Sequence, residues 1–169
     1  MPILHRREDL ERKARPRFFF GGTQNLKKDN LYPMIRKDFI DSEIQKLEQV
    51  LAKILRLKND GNLDDALEAS EQSLSENFGF DKQLLEQGTV EEFESLLRSK
   101  NYSAEKLNLL SQILFESAHP FQDTEECTAV VHKTALVLNL LETEHHQQSF
   151  ENLSRREMID NFLNNEQYE

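Results

Sequence analysis

Apolar residues between positions 34 and 58 recur at steps of three and four, the spacing that puts side chains on one face of an α-helix. The stripe consists of Ile40, Ile44, Leu47, Leu51, Ile54 and Leu55. A helix with such a stripe must bury it against another element, which limits the possible folds. Five glycines and four prolines are too few for a β-sandwich or barrel, whose turns recur about every 8–12 residues. The sequence therefore predicts an all-α protein.

A second helix is predicted from about residue 63 to residue 77, directly after a turn over residues 58–62. Gly61 and its polar neighbours are typical of a helix end followed by a tight turn. The residues expected to point inward are Leu63, Ala66, Leu67, Ser70 and Leu74. Because the turn is short, the two helices are expected to be antiparallel neighbours.

Capping residues predict where the later helices begin. Asp81 caps a short helix that Gly88 ends, and Thr89 with Glu92 forms a capping box. Ser103 caps the next helix, which ends before His119-Pro120 because a residue before proline avoids the helical region. Two further capping boxes are predicted, at Asp123–Glu126 and at Ser154–Glu157. The predicted inward positions on these helices are Phe93, Leu96, Leu97, Leu107, Leu110, Ile113, Leu114, Cys127, Val130, Val131, Leu138, Leu141, Met158, Ile159, Phe162 and Leu163.

The first predicted hairpin resembles a tetratricopeptide repeat. Gly61 followed five residues later by Ala66 is similar to the turn and second-helix start of that repeat, where the small alanine permits close helix packing. Val50 and Ile54 depart from the repeat, which has Trp and a small residue there. No second 34-residue copy is present. The resemblance implies a tetratricopeptide-like, right-handed array of about five to seven helices in antiparallel hairpins.

Residues 34–114 also resemble a family of uncharacterised small bacterial proteins. The matching motifs are Met34, Lys37, Asp38, Phe39 and Ile40, then Gly61, Ala66 and Leu67, then Tyr102, Ser103, Glu105, Lys106 and Leu107. This resemblance implies the same tetratricopeptide-like fold and supports Met34 as a start. It brings no function with it.

Residues 1–33 differ from the rest of the chain in charge. They contain eight Lys/Arg and four Asp/Glu, a net charge of +4, whereas residues 34–169 have a net charge of −14 within the total of −10. The extension could bind anionic lipid or nucleic acid through its basic residues and Phe18–Phe20. It could instead bind the acidic body, be a disordered tail, or result from a miscalled start, with Met34 as the true one. We expect one helical domain over residues 34–166.

No pattern in the sequence predicts a catalytic, cofactor-binding or metal site. Cys127 is the single cysteine and is expected to be a small core residue. Glu142, His145 and His146 are clustered, but only two of them could converge on one helical face, so a solvated helix end is favoured. His132 is expected to be a partly buried structural histidine. A basic start without a following apolar region and the lack of an 18-residue apolar run predict a cytoplasmic protein.

The span from Asp60 to Glu94 contains eleven acids and one base, Lys82. Most of it is explained as a solvated face, and the functional alternative is a docking surface for a partner protein with a basic surface. The residues predicted for that surface are Asp64, Asp65, Glu68, Phe78 and Phe80, although the two phenylalanines also suit the core. Nucleic acid is disfavoured for the acidic body because phosphate would be repelled.

The sequence thus favours a non-enzymatic protein–protein interaction or scaffold module. The alternative is a small enzyme whose site is assembled from dispersed His and carboxylate residues; a pocket containing His132 and two carboxylates would favour it. A further possibility is a homodimer whose interface is formed by Leu and Phe residues that the core does not bury. If the acidic face does not bind, the C-terminal segment over residues 149–168 is the alternative surface.

Overall fold

The computed structural model describes residues 35–166, and within that range the protein is all-α, with no strand. This confirms the predicted fold class. The helices are α1 (residues 35–59), α2 (Leu63–Phe78), α3 (Lys82–Gln87), α4 (Val90–Lys100), α5 (Ala104–Ala118), α6 (Glu125–Thr143) and α7 (Phe150–Glu166). The chain divides into two compact units, residues 1–43 and residues 44–169. In the first unit only residues 35–43 are described, and they are helical. The predictions for residues 1–33 lie outside the described residues.

Helix α6 is the centre of the second unit. It packs against α3, α4, α5 and α7, and α5 packs in turn against α2. Because neighbours cover α6 on several sides, its buried residues are spread around the helix instead of forming one stripe. They are Val130, Val131, Lys133, Thr134, Val137, Leu138, Leu140 and Leu141.

Three of the predicted caps are confirmed. The Asp81 carboxylate accepts a 2.8 Å hydrogen bond from the Leu84 amide at the start of α3. The hydroxyl of Thr89 accepts a 3.1 Å hydrogen bond from the Glu92 amide, and the Glu92 carboxylate accepts one of 3.1 Å from the Thr89 amide. This is a complete capping box at the start of α4. The Ser103 hydroxyl accepts a 3.2 Å hydrogen bond from the Lys106 amide at the start of α5.

The two other predicted capping boxes are wrong in position. Thr124, not Asp123, caps α6, and its hydroxyl accepts a 3.2 Å hydrogen bond from the Cys127 amide. Helix α7 begins one turn before the prediction, at Phe150, and Ser154 lies inside it. The Ser149 hydroxyl accepts a 3.1 Å hydrogen bond from the amide three residues later, so this serine satisfies a free amide of the first turn. In both cases a residue close to the predicted cap accepts the hydrogen bond from the first turn instead.

The predicted inward faces are correct at their centres and wrong at their edges. Ala66, Ser70 and Leu74 of α2 are buried. Five residues that were predicted to point inward are at least 36% exposed, namely Leu55, Leu63, Leu67, Leu96 and Met158. The periodicity identifies an apolar stripe, but the neighbouring helices decide how much of its width they cover.

Candidate docking groove

The predicted docking residues separate into exposed acids and buried aromatics. Asp64, Asp65 and Glu68 are exposed on α2. Phe78 and Phe80 are 1% and 0% exposed, so the structure corrects their proposed role as surface anchors and places them in the core.

A corner between α2 and α3 accounts for this burial. Gly79 has a left-handed φ of 73°, a conformation that strongly favours glycine, and this turns the chain so that both phenylalanines face inward. The Phe80 ring packs on Phe93 at a centroid distance of 5.0 Å, and Tyr102 donates a 2.9 Å hydrogen bond to the Phe78 carbonyl.

A groove of about 460 Å³ lies beside α2, within the second unit. It is lined by residues of α2 and α3, by the connection from α5 to α6 and by the first two turns of α6. We call it the leucine–acid groove. Its principal lining residues are Lys58, Leu63, Asp64, Leu67, Glu71, Lys82, Glu86, Glu116, His119, Pro120, Gln122, Glu126, Cys127 and Val130.

Both lysines of the groove are already paired. The Lys58 ammonium lies 2.7 Å from the Glu116 carboxylate and donates a 2.6 Å hydrogen bond to the His119 carbonyl. The Lys82 ammonium lies 2.8 Å from Glu71 and 3.5 Å from Glu86. The hydrogen bond that Lys82 donates to Glu71, reinforced by the negative charge of Glu71, raises the pKa of Lys82.

Two carboxylates of the groove, Asp64 and Glu126, take part in no ion pair within the described part of the chain. They belong to two different helices, Asp64 to α2 and Glu126 to α6. The lining contains five carboxylates and two lysines, which leaves a surplus of three negative charges. The groove is therefore electrostatically suited to a cationic ligand.

Exposed apolar surface accompanies the unpaired acids. Leu63 is 49% exposed and Leu67 is 40% exposed, one turn apart on the groove side of α2. Beside Leu67 a pit of about 40 Å³ leads toward the core. Its deep walls are apolar and are formed by Leu74, Phe80, Leu85 and Val130. Leu63 and Leu67, not the predicted phenylalanines, are the exposed apolar residues next to the acidic residues.

Cys127 was predicted to be a small core residue, but it lies on the groove wall and is half-buried. Its sulfur accepts a 3.4 Å contact from the Gln122 amide and lies 3.6 Å from the Ala118 carbonyl. These contacts tie the α5–α6 connection to the first turn of α6, so the thiol helps to shape the groove wall.

A second groove, of about 650 Å³, runs along the outer face of α6 and meets the start of α4. Its lining includes His132 with two carboxylates, Asp123 and Glu125, which is the arrangement expected to favour an enzyme. However, His132 is exposed, and no hydrogen bond joins it to either carboxylate in the described range. Seven residues separate Glu125 from His132 on one helix, a rise of about 10 Å. These side chains do not form an acid–base pair in this conformation.

The Glu142–His146 cluster is not arranged on one helical face. Helix α6 ends at Thr143, and His146 has a positive φ of 51°. The Glu142 carboxylate lies 3.1 Å from Arg156 and accepts a 2.8 Å hydrogen bond from Gln148, so it joins α6 to α7. Among residues 35–166, no three His, Cys, Asp or Glu side chains are grouped closely enough to hold a metal ion.

Comparisons with protein-family models, with the curated proteins and with the solved structures gave no match to this chain. None of the described helices combines the length and the apolar character needed to cross a membrane.

Proposed function

We propose that this chain is a non-enzymatic protein-interaction module whose docking surface is the leucine–acid groove. The observation that supports this proposal is the juxtaposition of Leu63 and Leu67, both substantially exposed, with the unpaired carboxylates of Asp64 and Glu126. Interfaces commonly combine an apolar contact with a polar rim, and an exposed apolar patch beside charged residues is typical of a binding surface.

The proposed partner is a protein with a basic surface. Its cations would pair with the surplus carboxylates, and its apolar side chains would cover the leucines. The acidic groove makes nucleic acid an unfavourable ligand because its phosphates carry the same sign of charge. We also propose a tetratricopeptide-like hairpin for α1 and α2; the burial of Ala66 and the left-handed φ of 81° at Gly61 support it. A cytoplasmic location belongs to the same proposal.

The proposal is tested by affinity capture from a native lysate with three forms of the protein. These are the wild type, the groove variant Asp64→Lys/Glu126→Lys, and the matched variant Asp65→Lys/Glu68→Lys. Both variants change the net charge equally, but Asp65 and Glu68 do not line the groove. We expect the wild type and the matched variant to capture a set of proteins that the groove variant does not capture. Capture of the same proteins by all three forms would refute the groove as the docking surface.

The α7 face is the competing surface. Phe150 is 85% exposed, and Leu153 and Met158 are also exposed on this helix. If substitution of Phe150 and Leu153 by serine abolishes capture while the groove variant does not, the partner binds at α7. A concentration-dependent dimer that the same serine substitutions abolish would assign this face to a second copy of the chain.

A further inference from the structure

We propose that the leucine–acid groove recognises a Lys/Arg-rich segment of its partner through one aliphatic side chain that enters the pit beside Leu67. This inference rests on the proposed function and specifies the chemistry of the bound segment. It is based on the pit, on the two unpaired carboxylates and on the position of each carboxylate about one helical turn from a residue that lines the pit.

The pit is suited to an aliphatic group. Its volume of about 40 Å³ exceeds the roughly 10–15 Å³ that one water needs. A water there would face Leu74, Phe80, Leu85 and Val130 on the deep side. The hydroxyl of Ser117, which also lines the pit, already donates a 2.7 Å hydrogen bond to the Leu114 carbonyl. The charged lining residues, Glu71, Lys82 and Glu86, are already paired with one another. A water on the apolar side of the pit therefore gains few hydrogen bonds, and its replacement there by a methyl or isobutyl group is favourable.

The charges beside the pit select cations rather than anions. Lys82 at the pit is held by two carboxylates, Glu71 and Glu86, so it is not available to attract an acidic ligand. Asp64 and Glu126 have no cation of their own in the described chain, and each can pair with a partner Lys or Arg. The groove would repel an acidic segment for the same reason.

Each unpaired carboxylate lies about one helical turn from a residue that lines the pit. Asp64 lies three residues from Leu67 on α2, a rise of about 4.5 Å, and Glu126 lies four residues from Val130 on α6, about 6 Å. An extended peptide rises about 3.3 Å per residue, so a cation two residues from the aliphatic side chain spans about 6.6 Å. A probe peptide with cations two residues before and after one aliphatic residue therefore places each cation about as far from that residue as each carboxylate lies from the pit-lining residue of its own helix.

A defined peptide provides the test. The probe is a fluorescein-labelled peptide of sequence Gly-Lys-Ser-Lys-Ser-Leu-Ser-Lys-Ser-Lys-Gly, whose binding to the full chain is followed by fluorescence anisotropy at about 0.15 M salt, where screening acts beyond about 8 Å. Two control peptides replace the central Leu by Ser, or every Lys by Glu. We expect the Leu-to-Ser change to weaken binding roughly tenfold, since a buried aliphatic side chain is lost. The acidic peptide should not bind.

Matched protein variants locate the site. Asp64→Lys/Glu126→Lys should weaken binding of the basic peptide by roughly tenfold or more, whereas Asp65→Lys/Glu68→Lys should change it by no more than about threefold. If the groove variant is destabilised in a thermal melt, the neutral pair Asp64→Asn/Glu126→Gln replaces it. This neutral pair is also expected to weaken binding of the basic peptide more than Asp65→Asn/Glu68→Gln does.

Equal binding of the Leu and Ser peptides, or equal weakening by the two charge-reversed variants, would overturn the inference. The first result would show that the pit is not used, and the second that only overall charge matters. Groove-dependent capture from lysate together with failure of the basic peptide would leave the proposed function standing and reject this partner chemistry.

Discussion

The ammonium of Lys133 on α6 donates a 2.7 Å hydrogen bond to the carbonyl of Gly88, at the end of α3. It also donates a 2.9 Å hydrogen bond to the Leu85 carbonyl. In a longer helix that carbonyl would accept from the amide of Thr89, but this amide is bound to the Glu92 carboxylate. Lys133 therefore supplies the donor that the six-residue helix α3 lacks at its end.

Replacing Lys133 with Met should lower the free energy of unfolding by about 1–3 kcal/mol, because two acceptor carbonyls lose a charged donor. Urea unfolding at neutral pH measures the effect. The matched control is Lys53→Met at an exposed position, where a change within about 0.5 kcal/mol is expected. Equal stability of the Lys133 variant and the wild type would show that these hydrogen bonds only compensate for burying the charge.

The same lysine predicts a pH dependence. Burial lowers the pKa of Lys133 from its usual 10.5, with the charge of Glu92 acting in the opposite direction. The folded state thus binds this proton less tightly than the unfolded state, and its charged form costs stability below the folded pKa. That cost disappears as the pH rises toward 10.5, so the destabilisation caused by Lys133→Met should be larger near pH 10 than near pH 7.5. Lys82, whose pKa is raised, contributes a pH dependence of opposite sign. Because both proteins contain Lys82, this contribution cancels when the free energies of unfolding of wild type and variant are subtracted at each pH.

Ala66 is fully buried on α2, as the tetratricopeptide-like resemblance requires. Ala66→Leu should overpack this position and lower the free energy of unfolding by about 1–3 kcal/mol. Ala52→Leu is the matched control, since Ala52 is exposed on α1. Thermal melts of both variants test the expectation, and an unchanged melting temperature for Ala66→Leu would contradict close helix packing there.

The leucines of the groove should contribute little to folding. Leu67→Ser is expected to lower the free energy of unfolding by about 1 kcal/mol, because this side chain is already 40% exposed and only its buried part is lost. Leu74→Ala, two turns along the same helix and 1% exposed, should cost about 2–5 kcal/mol. Chemical denaturation of the two variants distinguishes these values. A large loss for Leu67→Ser would mean that this residue belongs to the core and is not a docking residue.

A chain that begins at Met34 should fold with almost the stability of the full chain. The buried apolar residues of the described region run from Leu47 to Ile159, so the shorter chain keeps them all. Circular dichroism with thermal unfolding of both chains measures this. Loss of a cooperative transition on truncation would show that residues 1–33 are needed for folding.

The helices and several of their caps could be predicted from the sequence because the interactions that form them are local. Thr89 and Glu92 are three residues apart, so their capping box can be recognised without knowledge of the fold. Apolar residues such as Leu47, Leu51 and Ile54 recur at helical spacing and are buried. A hydrophobic stripe of this kind specifies both the helix and the centre of its buried face.

Tertiary structure decided everything that depends on neighbours distant in sequence. Lys133 donates hydrogen bonds to carbonyls 45 and 48 residues away in the sequence. No local sequence pattern predicts hydrogen bonds over such a separation. Asp64 and Glu126 line one groove only because α2 and α6 both contribute to its lining. Leu67 is 40% exposed, although it belongs to an apolar stripe, because the described helices leave that edge of α2 partly uncovered. The sequence by itself determined which residues form helices and which faces are apolar, whereas the packing of those helices decided which apolar residues remain available to a partner.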